Sequence, residues 1–371
     1  MKKHQQWKVT ALAAIIGASA AGNAFAAPEF SPRGRVHVDV ALHDEDVTEL
    51  GDSMNTRRAR LGVDGKLDDQ WDFIIEYDFA EEGVAARDVY LRYRLPMGRL
   101  IIGQTKVPMG LSESTSSNNI TFIERASNNN AFNDAFRLGL SYHLSQDNFT
   151  FQSMVYSRAI GDEKEAGDSQ IGFGNRFVFN PINQGTQVVH LGASVAYEDL
   201  GDQLGVRYRE RPEARPAGVR LIDTGSLDDV TDTFKYGLEA AYKNGPFSAE
   251  AEYLNVDADR ILAEDPSFSG YHVQASYVLT GESRGYSGGK FGGIKPQDPA
   301  GAWEVAARFS SVDLDDSGVT GGKQDNITLG LNYYATSKVR FMANLIQADI
   351  EGGVNGDEKP KIALFRAQYS F

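Results

Sequence analysis

Apolar and polar residues alternate with a period of two along most of this chain. In residues 57–80, Ala59, Leu61 and Val63 fall on one face, and Arg58, Arg60, Asp64 and Lys66 fall on the other. After Asp68-Asp69-Gln70 the alternation resumes, with Trp71, Phe73, Ile75, Tyr77 and Phe79 opposed to Asp72, Glu76 and Asp78. This is the mark of a β-strand whose two faces meet different surroundings. The same criterion predicts sixteen strands. The first eight lie near 34–42, 56–67, 71–80, 88–95, 99–105, 136–143, 149–158 and 171–180. The others lie near 188–197, 233–242, 247–256, 268–279, 302–311, 326–334, 339–350 and 361–371. About ten residues per strand suffices for a tilted strand to cross a bilayer.

The connections alternate as well. Short turns such as Pro96-Met97-Gly98, "SQDN" (145–148), "KNGP" (243–246) and "ATSK" (335–338) are interleaved with long polar loops at 43–55, 106–135, 159–170, 198–232, 312–325 and 351–360. One long Gly-rich link, 280–301, falls on the short-turn side. Aromatic residues gather at the ends of the apolar stripes, as interfacial girdles do. In a soluble sandwich the charged face of so many strands would lie buried and unpaired. In a barrel that face meets water. The expected fold is a sixteen-stranded antiparallel transmembrane β-barrel with an inward-folded third loop.

Composition refines this picture. The chain opens with Lys2, Lys3 and Lys8, an apolar run from Val9 to Ala21, and Ala24-Phe25-Ala26. That pattern predicts a signal peptide over 1–26, leaving 27–371 as the barrel. No run is long and apolar enough for a spanning helix. There is no cysteine, so no disulfide holds the chain. The formal charge of −14 becomes −17 without the three leader lysines, which excludes nucleic acid as a partner. No metal, nucleotide or nucleophile motif appears, and His37, His190 and His272 sit singly on different strands. No cofactor and no enzymatic activity are expected.

Taking the polar face as the lumen gives fourteen basic positions against ten acidic ones. The surplus acid of the chain therefore belongs to loops and turns, and the lumen is what a permeating ion meets. Twelve of the fourteen are arginine, whose planar fork matches phosphate and carboxylate. Arg57 has the parity of the lipid face, so it belongs at the rim or is turned inward by a bulge. Segment 106–135 brings Lys106 and Arg125 together with Glu113 and Glu124, and follows the fifth strand, where a loop can fold inward to narrow the pore. Segment 206–220, "VRYRERPEARPAGVR", carries Arg207, Arg209, Arg211, Arg215 and Arg220 with prolines that keep it extended. Arginines at a mouth draw anions inward.

The "RRA" opening the second strand, "WDFIIEYDF", "GQTKVPMGLSESTSS", "FIERA", "VVHLGASVAYEDL", "FSAEAEYL", "YVLTGESRGY" with "KFGGIKP", and "GAWEVAARFS" resemble the phosphate-selective porin O and P family from Gly34 to Phe371. The resemblance implies a homotrimeric porin in the outer membrane of a Gram-negative bacterium, in contact with lipid, passing small anions such as phosphate or polyphosphate. It places Arg57, Arg58 and Arg125 at the constriction, with Arg60 and Lys106 beside them. It likens 207–220 to an extracellular arginine ladder, and the link bearing Lys290 and Lys295 to an inward-folded periplasmic-side segment. Tyr369 and Phe371 end the last strand as a signal for the barrel-assembly machinery. Two positions depart from the family pattern: Glu113 stands in "GLSEST" where phosphate-binding members carry lysine, and Asn118 stands at a second basic position. A carboxylate there opposes anions, so a general or weakly cation-selective porin for small hydrophilic solutes is the alternative reading.

Overall fold

The structure is a computed structural model that describes residues 29–80, 83–133, 136–162, 167–202 and 204–371; the expected signal peptide lies outside them. Sixteen strands form the wall. They are β1 (Glu29–Asp44), β2 (Ser53–Lys66), β3 (Trp71–Asp78), β4 (Ala85–Arg94), β5 (Arg99–Lys106), β6 (Phe136–Ser145), β7 (Phe149–Tyr156) and β8 (Ile171–Gln184). They continue with β9 (Gln187–Asp199), β10 (Val230–Asn244), β11 (Phe247–Arg260), β12 (Ser267–Val278), β13 (Ala302–Asp316), β14 (Val319–Tyr334), β15 (Val339–Gly353) and β16 (Lys361–Ser370). Each pairs antiparallel with its sequence neighbour, and β1 pairs with both β2 and β16, which closes the barrel. Closure leaves no unpaired edge, the condition for β-structure in lipid.

Burial is inverted relative to a soluble protein. On β14, Ile327, Leu329 and Leu331 are exposed, while Asn326, Thr328 and Asn332 on the opposite face are buried. The same holds for Leu238 against Glu239 on β10 and Leu345 against Asn344 on β15. The apolar stripes therefore form an outer belt for lipid, and the polar stripes face inward.

The inner face is not uniformly polar. Near the long-loop end its positions become Leu254, Val256 and Ala258 on β11, Phe268 on β12, Val312 and Leu314 on β13, and Ala348 and Ile350 on β15. These pack with Tyr208, Leu221, Ile222 and Leu227 of the loop after β9 and with Met109 and Phe132 of the loop after β5. One part of the barrel thus has an apolar filling instead of water. The acidic stretch 312–325, expected as a long loop, is instead a continuation of β13 and β14. It turns at Ser317-Gly318, both at positive φ, which is the geometry of a tight two-residue hairpin.

Two bulges break the alternation where charge is densest. Between β1 and β2 the register passes from His37↔Arg58 to Val38↔Thr56, leaving Arg57 as the extra residue. Between β3 and β4 it passes from Ile75↔Val89 to Tyr77↔Ala86, so Arg87 and Asp88 together oppose Glu76. A bulge re-aims a side chain that strict parity would send outward.

Leu238→Arg, near the middle of β10 on the outer face, is expected to destabilise the barrel by about 2–4 kcal/mol in lipid vesicles. Denaturant unfolding measures it, and stability equal to that of the parent would contradict the lipid-facing assignment.

Candidate functional site

Residues 107–133 leave β5 and bond to the polar face on the far side of the barrel. Arg308, Arg340 and Arg366, on β13, β15 and β16, donate to the carbonyl oxygens of Glu124 (3.0 Å), Ile120 (2.7 Å) and Ile123 (2.5 Å). In return the N–H of Ile123 donates to Asn344 Oδ1 at 2.8 Å, and those of Leu111 and Ser112 donate to Glu252 Oε2 at 2.6 and 3.1 Å. A buried irregular segment has to satisfy its backbone somewhere, and here the arginines, Asn344 and Glu252 do it. The Arg308 guanidinium also lies 4.3 Å from the Phe122 ring centroid, a cation–π contact.

Two other segments reinforce this one. In the loop between β9 and β10, buried Glu213 at φ 54 accepts from Ser127 N (2.9 Å), Ser310 Oγ (2.6 Å), Thr328 Oγ1 (3.0 Å) and the Arg308 guanidinium. In the link after β12, Arg284 donates to Glu304 Oε1 at 2.6 Å and to Asn119 O at 2.8 Å. In the same link, Gly289 O accepts from Arg176 at 2.7 Å.

What remains open is a cavity of about 460 Å³ along β1–β7. Twelve basic side chains line it, and only Asp88 and Glu113 oppose them. Arg57, Arg58, Arg60, Lys106 and Arg125 are all among the twelve. Most of the neutralising carboxylates stand behind the arginines. Glu124 holds Arg57 at 2.7 Å and Arg366 at 2.9 Å, with Arg58 at 4.0 Å. Asp78 holds Arg60 at 2.8 Å and Arg87 at 3.4 Å. Glu76, fully buried, takes Arg35 at 3.3 Å and Arg33 at 3.5 Å. Each carboxylate fixes a fork while leaving part of it facing the cavity. Arg60, Arg87 and Lys106 also surround the Phe136 ring at 5.7–5.9 Å.

Glu113 faces the cavity but is not a lone charge. Lys106 Nζ reaches it at 2.6 Å and Arg125 Nε at 3.2 Å. Arg125 also donates to the carbonyls of Ser112 (2.9 Å) and Thr115 (2.8 Å). Burial alone would push the Glu113 carboxyl up, but Arg125 and Lys106 outweigh it and hold it below its usual 4.5. The Glu124 carboxyl sits well below that value, since Arg57, Arg58 and Arg366 outweigh the same burial penalty. Asn118 Oδ1 accepts from His37 Nε2 at 3.1 Å in the ring tautomer that carries its proton there.

The arginines of 207–220 do not form one row along this cavity. Arg215 lines it, whereas exposed Arg207 closes onto Asp223 at 2.6 Å. Arg209 belongs to a two-residue strand against Ile222–Asp223, and neither it, Arg211 nor Arg220 reaches the cavity lining. Lys290 lines the cavity, whereas Lys295 is exposed and does not. Tyr369 and Phe371 lie stacked at 5.6 Å on the outer wall, where Phe371 exchanges backbone hydrogen bonds with Gly34. Sequence parity misses Arg33, one residue before the predicted start of β1, and Arg87, at a bulge; both line the cavity. The adjacent charged pairs Arg57-Arg58 and Arg87-Asp88 were the available signal, because strict alternation does not produce them.

The family model for phosphate-selective porin O and P matches residues 30–371. The chain belongs to this family. It is 30% identical to Porin O of Pseudomonas aeruginosa, over 92% of this chain and 88% of that protein. Among solved structures, the outer membrane protein OmpT of Vibrio cholerae in its trimer form superposes with a TM-score of 0.62 at 12% identity, covering 93% of this chain and all of that one. The anion-selective porin from Comamonas acidovorans does so with 0.58 at 15% identity and the same coverage. At such identities the likeness is one of fold. The protein is an outer-membrane porin, a channel and not an enzyme.

The lowered Glu113 and Glu124 carboxyls give a pH expectation. A carboxyl depressed in the folded state contributes stability that is complete above about pH 4.5 and is lost as pH falls through the depressed value. Glu113→Gln and Glu124→Gln are therefore each expected to change single-channel conductance by the same factor at pH 5 as at pH 7, because both carboxyls are ionised throughout that range. An effect of either variant that fades between pH 7 and pH 5 would contradict the ion-paired state of that residue.

Proposed function

We propose that this porin is a passive channel for small anions, phosphate or polyphosphate among them, with the arginine-lined cavity as its constriction and segment 107–133 as the loop that narrows it. One observation carries the reading: a chain with formal charge −14 has twelve basic and two acidic side chains on its open cavity. Fixed cations in a narrow, low-dielectric site raise the local anion concentration. Several weak contacts in series let an anion leave as well as enter. Arg57, Arg58, Arg60, Lys106 and Arg125 would share the permeating anion between them. Glu113, closed onto Lys106 and Arg125, reduces the attraction there without reversing it, which weighs against the cation-selective alternative. The family description and the anion-selective Comamonas porin point the same way. Homotrimeric assembly, after the trimer form of the Vibrio protein, belongs to the same proposal. So do export by residues 1–26 and recognition of the strand end at Tyr369 and Phe371 by the assembly machinery.

Arg58→Ala combined with Arg125→Ala is expected to lower the chloride-over-potassium permeability ratio several-fold, measured in planar bilayers; an unchanged ratio would remove these residues from the constriction. Titrating phosphate into the chloride current tests the finer reading. Block at low phosphate supports a phosphate channel, and unblocked anion current would mean a general anion pore.

A further inference from the structure

The wall of β3–β5 that faces the cavity carries a contiguous apolar patch between its charges. Ile74 and Tyr90 stand directly opposite each other in the β3–β4 ladder. Ile101 is opposite Arg92 in the β4–β5 ladder, one diagonal step from Tyr90. Half-buried Ile74 and Tyr90 line the cavity over Ile101, which is 3% exposed and forms the base of the patch, on a face whose other members include Asp72, Asp88, Arg92 and Arg99. The inward-folded segments do not account for the patch, because none of its three residues belongs to the apolar clusters those segments build. Apolar side chains on an otherwise charged, water-lined wall offer the contact that a hydrophobic part of a solute would use.

Its position is specific. Two further cavities, of about 380 and 280 Å³, adjoin the main one towards the short turns. The first shares Arg33, Ile74 and Arg92 with it, and the second shares Arg92, Arg99 and His143. The patch therefore sits where the water-filled volume branches. Arg92 is held by Asp72 at 2.6 Å, whereas Arg99 has no ion-pair partner among the described residues. A free guanidinium beside an aliphatic and aromatic wall is complementary to a molecule with one anionic end and one apolar body.

We propose that Ile74, Tyr90 and Ile101, with Arg92 and Arg99, form a subsite for aromatic carboxylates, of which benzoate is the simplest. The proposal rests on the anion reading above and narrows its substrate class. The carboxylate takes the open fork of Arg99 while the ring lies against the patch. An inorganic anion, or acetate, gains the first contact and not the second.

The test uses the full-length porin in planar bilayers, with benzoate, acetate and phosphate each titrated into the chloride current. Benzoate is expected to block at a concentration roughly tenfold below acetate, the gain from covering part of one ring. Ile74→Thr with Tyr90→Gln, and separately Ile101→Ser, should bring benzoate and acetate together, read in each variant as the ratio of the two blocking concentrations. Arg99→Gln should weaken both and keep their ratio. Equal block by benzoate and acetate in an anion-selective parent would overturn the subsite alone, as would a ratio unmoved in both patch variants. A cation-selective parent would overturn the anion reading and the subsite with it.

Discussion

The rest of this porin depends on arginines that face water while carboxylates grip them from behind. Glu124, Glu76 and Asp78 each hold two or three guanidinium groups. An unpaired cluster of cations at this density would repel itself, and unpaired carboxylates in the wall would be costly to bury. Paired as they are, the wall is stable and each fork keeps a fixed orientation. The price is some cancelled charge, but most of the cancelling groups lie out of reach of the solute. The cavity lining is left strongly basic in an acidic protein.

The same chemistry fixes where water can be. Arg308, Arg340 and Arg366 satisfy the carbonyls of 120–124, and Glu252 and Glu213 satisfy N–H groups at 111–112 and 127. With the apolar filling around Leu254, Phe268 and Leu314, these bonds commit the β11–β16 side of the lumen to holding loops. The large cavity is left on the β1–β7 side. The lumen acids Glu239, Glu252 and Glu304 are buried at 3–5% exposure or less and lie outside the cavity lining, so they do not oppose a permeating anion.

The barrel was legible in the sequence because period two is a backbone property: all sixteen strands appear where alternation places them. Misses arose where something other than alternation decides. Arg57 and Arg87 sit at bulges, so strict parity left Arg57 open between the rim and an inward turn and passed over Arg87. The stretch 312–325 looked like a loop because its acids mask a strand continuation whose turn is only Ser317-Gly318. Parity also gave every inward position to water, whereas Leu254 and Val256 have loop partners that no local pattern announces. The cavity residues Arg58, Arg60, Lys106 and Arg125 could be named in advance, but their partners could not. Glu113 was set against Lys106 and Arg125 within one segment, but the clasp that both close on it is a tertiary fact.

The central claim is that the basic lining of the cavity, and not the net charge of the chain, governs which ions pass. It is tested most directly by the reversal potential of the purified porin in a planar bilayer under a KCl gradient. A potential displaced towards the chloride equilibrium value is the predicted result. Displacement towards the potassium value would mean that the acidic loops and Glu113 control entry, and would contradict the account.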